Sequence, residues 1–218
     1  MGYSKISKVL FLLIINTFCV SAQKVLPFLG AGQNINTSFE NNGYLNISAG
    51  VQYNLKGFIK PEIEFRFFFG ALQNNTTYDS ANSFVPTRDV FTTFQALNLS
   101  LTPNFSIPLD QDKHWYLAVK PKYNYAEIKA LDAIFVYQGT KTIYTQETRK
   151  GISRSFGLNM GVLAKLWSES YDAVLLSVFV DNVNFNKVIK RTPATDVDTK
   201  YNLGFEVTYY FSFRKKKN

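Results

Sequence analysis

Along most of the chain, apolar and polar side chains alternate one by one, the two-residue period of a strand with unlike faces. In residues 44–55, Leu45, Ile47, Ala49, Val51, Tyr53 and Leu55 share one face, opposite Asn46, Ser48, Gly50, Gln52 and Asn54. The contrast sharpens in 59–69, where Ile59, Pro61, Ile63, Phe65, Phe67 and Phe69 alternate with Lys60, Glu62, Glu64, Arg66 and Phe68. Residues 115–125 set Trp115, Leu117, Val119, Pro121, Tyr123 and Tyr125 against Tyr116, Ala118, Lys120, Lys122 and Asn124. The last segment, 201–213, sets Tyr201, Leu203, Phe205, Val207, Tyr209, Phe211 and Phe213 against Asn202, Gly204, Glu206, Thr208, Tyr210 and Ser212. Less regular alternation predicts four more strands near 24–34, 91–103, 154–167 and 173–185. In the last of these the apolar parity changes between Val180 and Val183, which predicts a β-bulge near Asp181-Asn182. No segment predicts a helix.

The connections between these eight strands run 9, 3, 21, 11, 28, 5 and 15 residues. Long and short links alternate, as an antiparallel up-and-down transmembrane β-barrel with short periplasmic turns and longer outer loops requires. Both termini then fall on the periplasmic side. The expected outer loops are 35–43, 70–90, 126–153 and 186–200, rich in Asn, Thr and Asp. A strand of about 10 residues, tilted about 40°, climbs about 25 Å, the height of the apolar band of such barrels. Pro61 and Pro121 each follow a lysine and are expected at strand starts near the periplasmic rim.

Charge decides which face meets what. In the four regular strands the 25 positions of the apolar face carry no Asp, Glu, Lys or Arg, and 12 of them are aromatic. A charge at a lipid midplane costs about 2–4 kcal/mol, so lipid demands such a face. A secreted lipocalin-like barrel, also eight-stranded, would tolerate an uncharged interior too. Twelve rings from four strands would overfill that interior, however, while the opposite face offers Asn, Ser, Gly and Gln small enough for a narrow lumen. The aromatic face is therefore assigned to lipid. Lys60, Glu62, Glu64, Arg66, Lys120, Lys122 and Glu206 are assigned to the lumen, and Arg154, Lys165 and Asp181 are expected either to join their network or to sit near the rims.

Composition adds an export signal. Lys5 and Lys8 precede the apolar run Val9 to Ile15, and Val20-Ser21-Ala22 offers a small-residue cleavage site, so residues 1–22 read as a signal peptide. The apolar run is too short to span a bilayer as a helix, which takes about 20 residues. The single cysteine, Cys19, lies within this leader and lacks the small residues of a lipobox before it. Cleavage leaves a barrel domain, 23–213, with no thiol for disulfide, metal or nucleophilic chemistry. The net charge of +8 falls to about +2 once Lys5, Lys8 and the basic tail Arg214 to Lys217 are set aside. The basic tail, 214–218, is expected to be solvated, and the charge makes no case for nucleic acid.

These features resemble the small outer-membrane β-barrel proteins, including the OmpA-like membrane domain and the broad outer membrane protein beta-barrel group. The resemblance is carried by the leader ending in Val20-Ser21-Ala22, the strand from Ile59 to Phe67 and the aromatic last strand. It covers residues 23–213 in architecture, and no single motif in it is highly specific. It implies outer-membrane lipid as a partner and recognition by the barrel-assembly machinery through a terminal aromatic residue, here Phe213. Arg214 to Asn218 follow Phe213, a departure from the usual ending on the aromatic residue itself.

Candidate chemistry is sparse. The inward charges fit either a paired polar core filling the lumen or the lining of a narrow porin-like channel; near balance of sign favours the filled core. Lipid hydrolysis would want Ser, His and a carboxylate, but the one histidine, His114, falls in a short turn away from the outer leaflet. Asp110 and Asp112 in that turn supply too few oxygens for calcium. Gly30-Ala31-Gly32 lacks the third glycine and the helix of a dinucleotide loop. The expectation is a non-enzymatic barrel without cofactor, structural or surface-displaying, with a loop-mediated adhesin or receptor and a narrow channel as alternatives.

Overall fold

Among the described residues nine strands form, because the alternating segments can bury their backbone polar groups only by pairing edge to edge. They are β1 (Val25–Ile35), β2 (Gly43–Tyr53), β3 (Ile59–Ala71), β4 (Asn75–Tyr78), β5 (Pro86–Pro108), β6 (Trp115–Gln138), β7 (Lys141–Lys165), β8 (Ala173–Asp181) and β9 (Asn202–Tyr210). The computed structural model describes residues 25–36, 38–54, 58–72, 74–81, 85–166, 172–188 and 201–212. The leader, Phe213 and the tail 214–218 lie outside these residues.

The ring closes. β1 pairs with β2 and with β9, β3 pairs with β2 and with β5, and β5 to β9 pair consecutively, every pairing antiparallel. Eight strands thus form a barrel without a sheet edge in its wall, and all eight coincide with segments expected from the alternation. β4 is an addition that pairs with the N-terminal end of β5, from Asn75↔Val90 to Tyr78↔Pro86.

Three expectations are corrected. Residues 126–153 are not a loop: β6 and β7 run to 24 and 25 residues and join through Gly139-Thr140. Gly139 takes φ +61°, the positive value that the first central position of a two-residue type II′ hairpin turn requires. The parity change after Val180 is not a bulge. β8 ends at Asp181, and the chain turns inward through the 3-10 turn Phe185–Lys187, burying Val183, Phe185 and Val188. Pro121 does not start its strand; it lies inside β6, where the β5–β6 ladder is interrupted between Leu101↔Tyr123 and Phe105↔Val119 without change of register.

The faces sort as assigned from the sequence. Leu29, Leu45, Ile47, Phe65, Leu97, Leu101, Phe156, Leu176 and Phe205 stand exposed on the outer wall, while Asn46, Asn98, Ser100, Asn124 and Asn159 are buried within. Gly50 faces the Phe28 ring so closely that a Cβ there would lie 2.9 Å from its Cε1. Glycine on one strand makes room for an inward ring on the next.

Candidate functional site: the charged lumen and its two apolar caps

Parity places the charges. Alternate residues of β3 and β6 point inward, so Glu62, Glu64 and Arg66 face Lys120 and Lys122 across the lumen, joined by Glu206 of β9 and Asp181 of β8. All seven are at most 2 % exposed. Arg66 is the hub: its guanidinium lies 3.0 Å from Glu64, 2.9 Å from Asp181 and 2.5 Å from Glu206. Lys122 meets Glu64 at 2.9 Å and Lys120 meets Glu62 at 2.6 Å. Neutral donors complete the shell. Glu62 accepts from Gln52 at 2.6 Å, Asn104 at 2.7 Å and the Tyr210 hydroxyl at 3.0 Å, and Glu206 accepts from Ser48 at 2.6 Å. Charges withdrawn from water persist only with partners and hydrogen bonds of this kind.

The sequence-derived set differs from this cluster by two residues. Lys60 is only half-buried and sits with its ammonium 5.4 Å from the Tyr116 ring, nearer the end of the barrel away from the β6–β7 hairpin. Lys165 shares that ring, donating to the Tyr116 hydroxyl at 2.8 Å. Asp181 takes its place in the network, making four carboxylates around three cations. The signal for Asp181 was present: it shares the odd, inward parity of Ser177 and Phe179 in β8. Arg154 joins nothing inside; it lies on the outer wall, 5.9 Å from the Tyr125 ring.

Apolar clusters flank the charges at both ends. Toward the β6–β7 hairpin, the end expected to be the outer one, Phe39, Tyr44, Phe68, Phe94, Val183 and Phe185 pack into one buried cluster. Phe185 is its centre, with ring centroids 4.7 Å from Phe94, 5.4 Å from Tyr44 and 5.9 Å from Phe39. At the other end, the one expected to be periplasmic, Phe28, Leu163, Leu175 and Tyr210 form the second cluster. The cations pack against both caps: Arg66 lies 4.9 Å from the Phe179 ring and 5.9 Å from Phe68, and Lys120 lies 5.5 Å from Phe28.

The β5–β6 turn holds the other candidates. Asp110 accepts the backbone N–H of Trp115 at 2.8 Å and of His114 at 3.0 Å. These bonds, that of Trp115 foremost, hold its carboxyl below the usual aspartate range. Both oxygens are thus committed to the turn rather than offered to a cation, and no cluster of metal-ligating side chains occurs among the described residues.

No protein-family model matches the chain, and no curated protein does. Solved structures similar to it include the Neisserial surface protein A, at 11 % identity and TM-score 0.37, covering 87 % of this chain and 96 % of that one. A major outer membrane protein from Thermus thermophilus follows at 12 % identity and TM-score 0.46, covering 86 % and 99 %. The attachment invasion locus protein Ail of Yersinia pestis, in complex with the heparin analogue sucrose octasulfate, is 7 % identical with TM-score 0.45, covering 86 % and 96 %. The barrel assignment itself stands on the closed strand register of this chain.

Proposed function

We propose that this chain is an integral outer-membrane β-barrel whose lumen is a paired ionic core sealed at both ends, and whose role is structural and surface-displaying rather than catalytic or conducting. The observation that carries the reading is the order of layers along the lumen: aromatic cap, cluster of paired charges (four carboxylates around three cations), apolar cap. An ion crossing would have to part Phe185 from its ring neighbours and then break buried ion pairs. The ring-studded outer wall, whose outward positions are uncharged from Leu97 to Ile107 on β5 and from Trp115 to Tyr125 on β6, supports lipid as the surrounding solvent. On this reading the protein remains with outer membranes on fractionation and shows heat-modifiable mobility after detergent extraction. In planar bilayers it stays electrically silent. Discrete openings altered by Glu62→Gln or Lys120→Gln would replace the sealed core with a channel.

Surface display has its own support. β6 and β7 continue about 13 residues past the apolar band, roughly 40 Å of strand. With the start of β5 they carry an aromatic row in which the half-buried Phe135 lies 5.8 Å from the exposed Phe91 of β5 and 5.1 Å from the exposed Tyr144. An adhesin or receptor role at this hairpin predicts that shortening it to a turn near residue 126 abolishes cell-surface ligand binding while the barrel still folds. Retained binding would exclude the hairpin as the ligand surface.

A further inference from the structure

The polarity of the two faces inverts at one height of the wall. On β5, Leu97, Leu99 and Leu101 point outward and Asn98, Ser100 and Thr102 inward; beyond them Gln95 points outward and Phe94 and Ala96 inward. On β6, Tyr123 and Tyr125 point outward and Lys122 and Asn124 inward; beyond them Glu127 and Lys129 point outward and Ala126, Ile128 and Ala130 inward. The pairings Leu99↔Tyr125 and Leu97↔Glu127 set the two inversions side by side. Such a line is where an apolar surround gives way to water.

A groove of about 610 Å³ lies on this line, on the outer wall across β3, β5, β6 and β7. Phe67, Leu97 and Ile152 give it an apolar floor, while Lys129, Lys150 and Glu127 stand over it. Register makes Gln95, Lys129 and Lys150 successive cross-strand partners in one row. Two lysines directly opposite on one face of a sheet repel each other unless an anion lies between them. The ion pairs of the described residues involve neither lysine, nor Glu127. Arg154, the next outward position of β7 after Ile152, lies outside the lining, 5.9 Å from the Tyr125 ring.

We propose that this groove binds a phosphate-bearing lipid of the outer leaflet, its headgroup phosphate held between Lys129 and Lys150 and an acyl chain lying on Phe67, Leu97 and Ile152. Charge complementarity selects the phosphate, and the apolar floor selects a lipid over a free anion. The inference rests on the outer-membrane reading above. Anionic headgroups gain attraction from each basic residue near the surface, so loss of two lysines weakens retention about tenfold or more.

The test is native mass spectrometry of the full chain in detergent micelles with bisphosphorylated lipid A, its phosphate-free counterpart and inorganic phosphate as separate probes. Expected is one retained lipid A per barrel, no comparable retention of the phosphate-free lipid, and no competition by millimolar phosphate. Lys129→Gln with Lys150→Gln loses that retention, whereas Lys141→Gln at the hairpin tip keeps it. Equal retention of both lipids, unchanged retention in the double variant, or full displacement by inorganic phosphate would each overturn the proposal. Heat-modifiable mobility of the same variants reports whether the barrel has folded. A chain that stays soluble without detergent refutes the outer-membrane reading itself, a result distinct from a folded barrel that ignores the phosphate.

Discussion

Arg66 on β3 meets Glu206 on β9 at 2.5 Å, although β2 and β1 stand between those strands in the ring. The same guanidinium reaches Asp181 on β8 at 2.9 Å, so one side chain ties opposite walls of the lumen. Removing one partner of a buried ionic cluster strands the others, at a cost of about 3–5 kcal/mol. Arg66→Met should therefore lower stability by that order in urea titrations followed through Trp115 fluorescence. Adding Glu206→Gln and Asp181→Asn should recover much of the loss, because the stranded charges are then gone. A single variant as stable as the parent would mean that the cross-lumen contacts do not hold the ring.

The outer wall makes a depth-dependent prediction. Leu101 faces outward near the middle of the apolar stretch of β5, and Gln95 faces outward just past its end. Arginine at a bilayer midplane costs about 2–4 kcal/mol, falling to about 0–1 near the interface. Leu101→Arg should thus destabilise the barrel in lipid vesicles far more than Gln95→Arg. Equal effects at the two positions would remove lipid from the apolar wall.

The sequence showed the ring more fully than its outer extension, and the reason is physical. Where lipid would lie outside and charge inside, as along Glu62 to Phe67 or Tyr201 to Tyr209, one strict period runs the length of the strand and can be read directly. Above Tyr125 the period breaks phase, because Ala126, Ile128 and Ala130 turn inward to meet the outer cap while Glu127 and Lys129 turn outward. An apolar period that switches from odd to even positions looks like no period, so residues 126–153, the far halves of β6 and β7, read as a loop. The same inversion put Phe68 among the polar residues of its strand, where it reads as an exception; in the folded chain it is part of that cap. The charge cluster was legible except for which of Lys60, Arg154, Lys165 and Asp181 enters it; that depends on how far along the lumen each inward position sits, and parity carries no height.

Phe185 offers a separate handle on the outer cap. It is fully buried although it follows the end of β8, and it packs against Phe39, Tyr44, Phe68 and Phe94. Truncating a buried ring of this kind costs about 3–5 kcal/mol. Phe185→Ala should lower the thermal midpoint markedly, and Phe185→Leu should lower it less. An unchanged midpoint for Phe185→Ala would show that the cap contributes little to the fold.

Acid should act at the opposite end, through Asp110 in the β5–β6 turn. Its carboxylate accepts two backbone N–H bonds, that of Trp115 at 2.8 Å and that of His114 at 3.0 Å, and both favour the ionised form. The folded pKa therefore lies below the unfolded one, which is about 3.9 for aspartate. A depressed carboxylate contributes stability that is present above the unfolded value and is lost as pH falls through the folded one. Carbon-13 titration of the Asp110 carboxyl in micelles should give a midpoint below that of a free aspartyl peptide. Asp110→Asn should erase its share of the acid dependence without moving stability's response near neutral pH. A midpoint at or above the peptide value would mean that the turn does not hold the carboxylate through its backbone, and the short link between β5 and β6 would need another anchor.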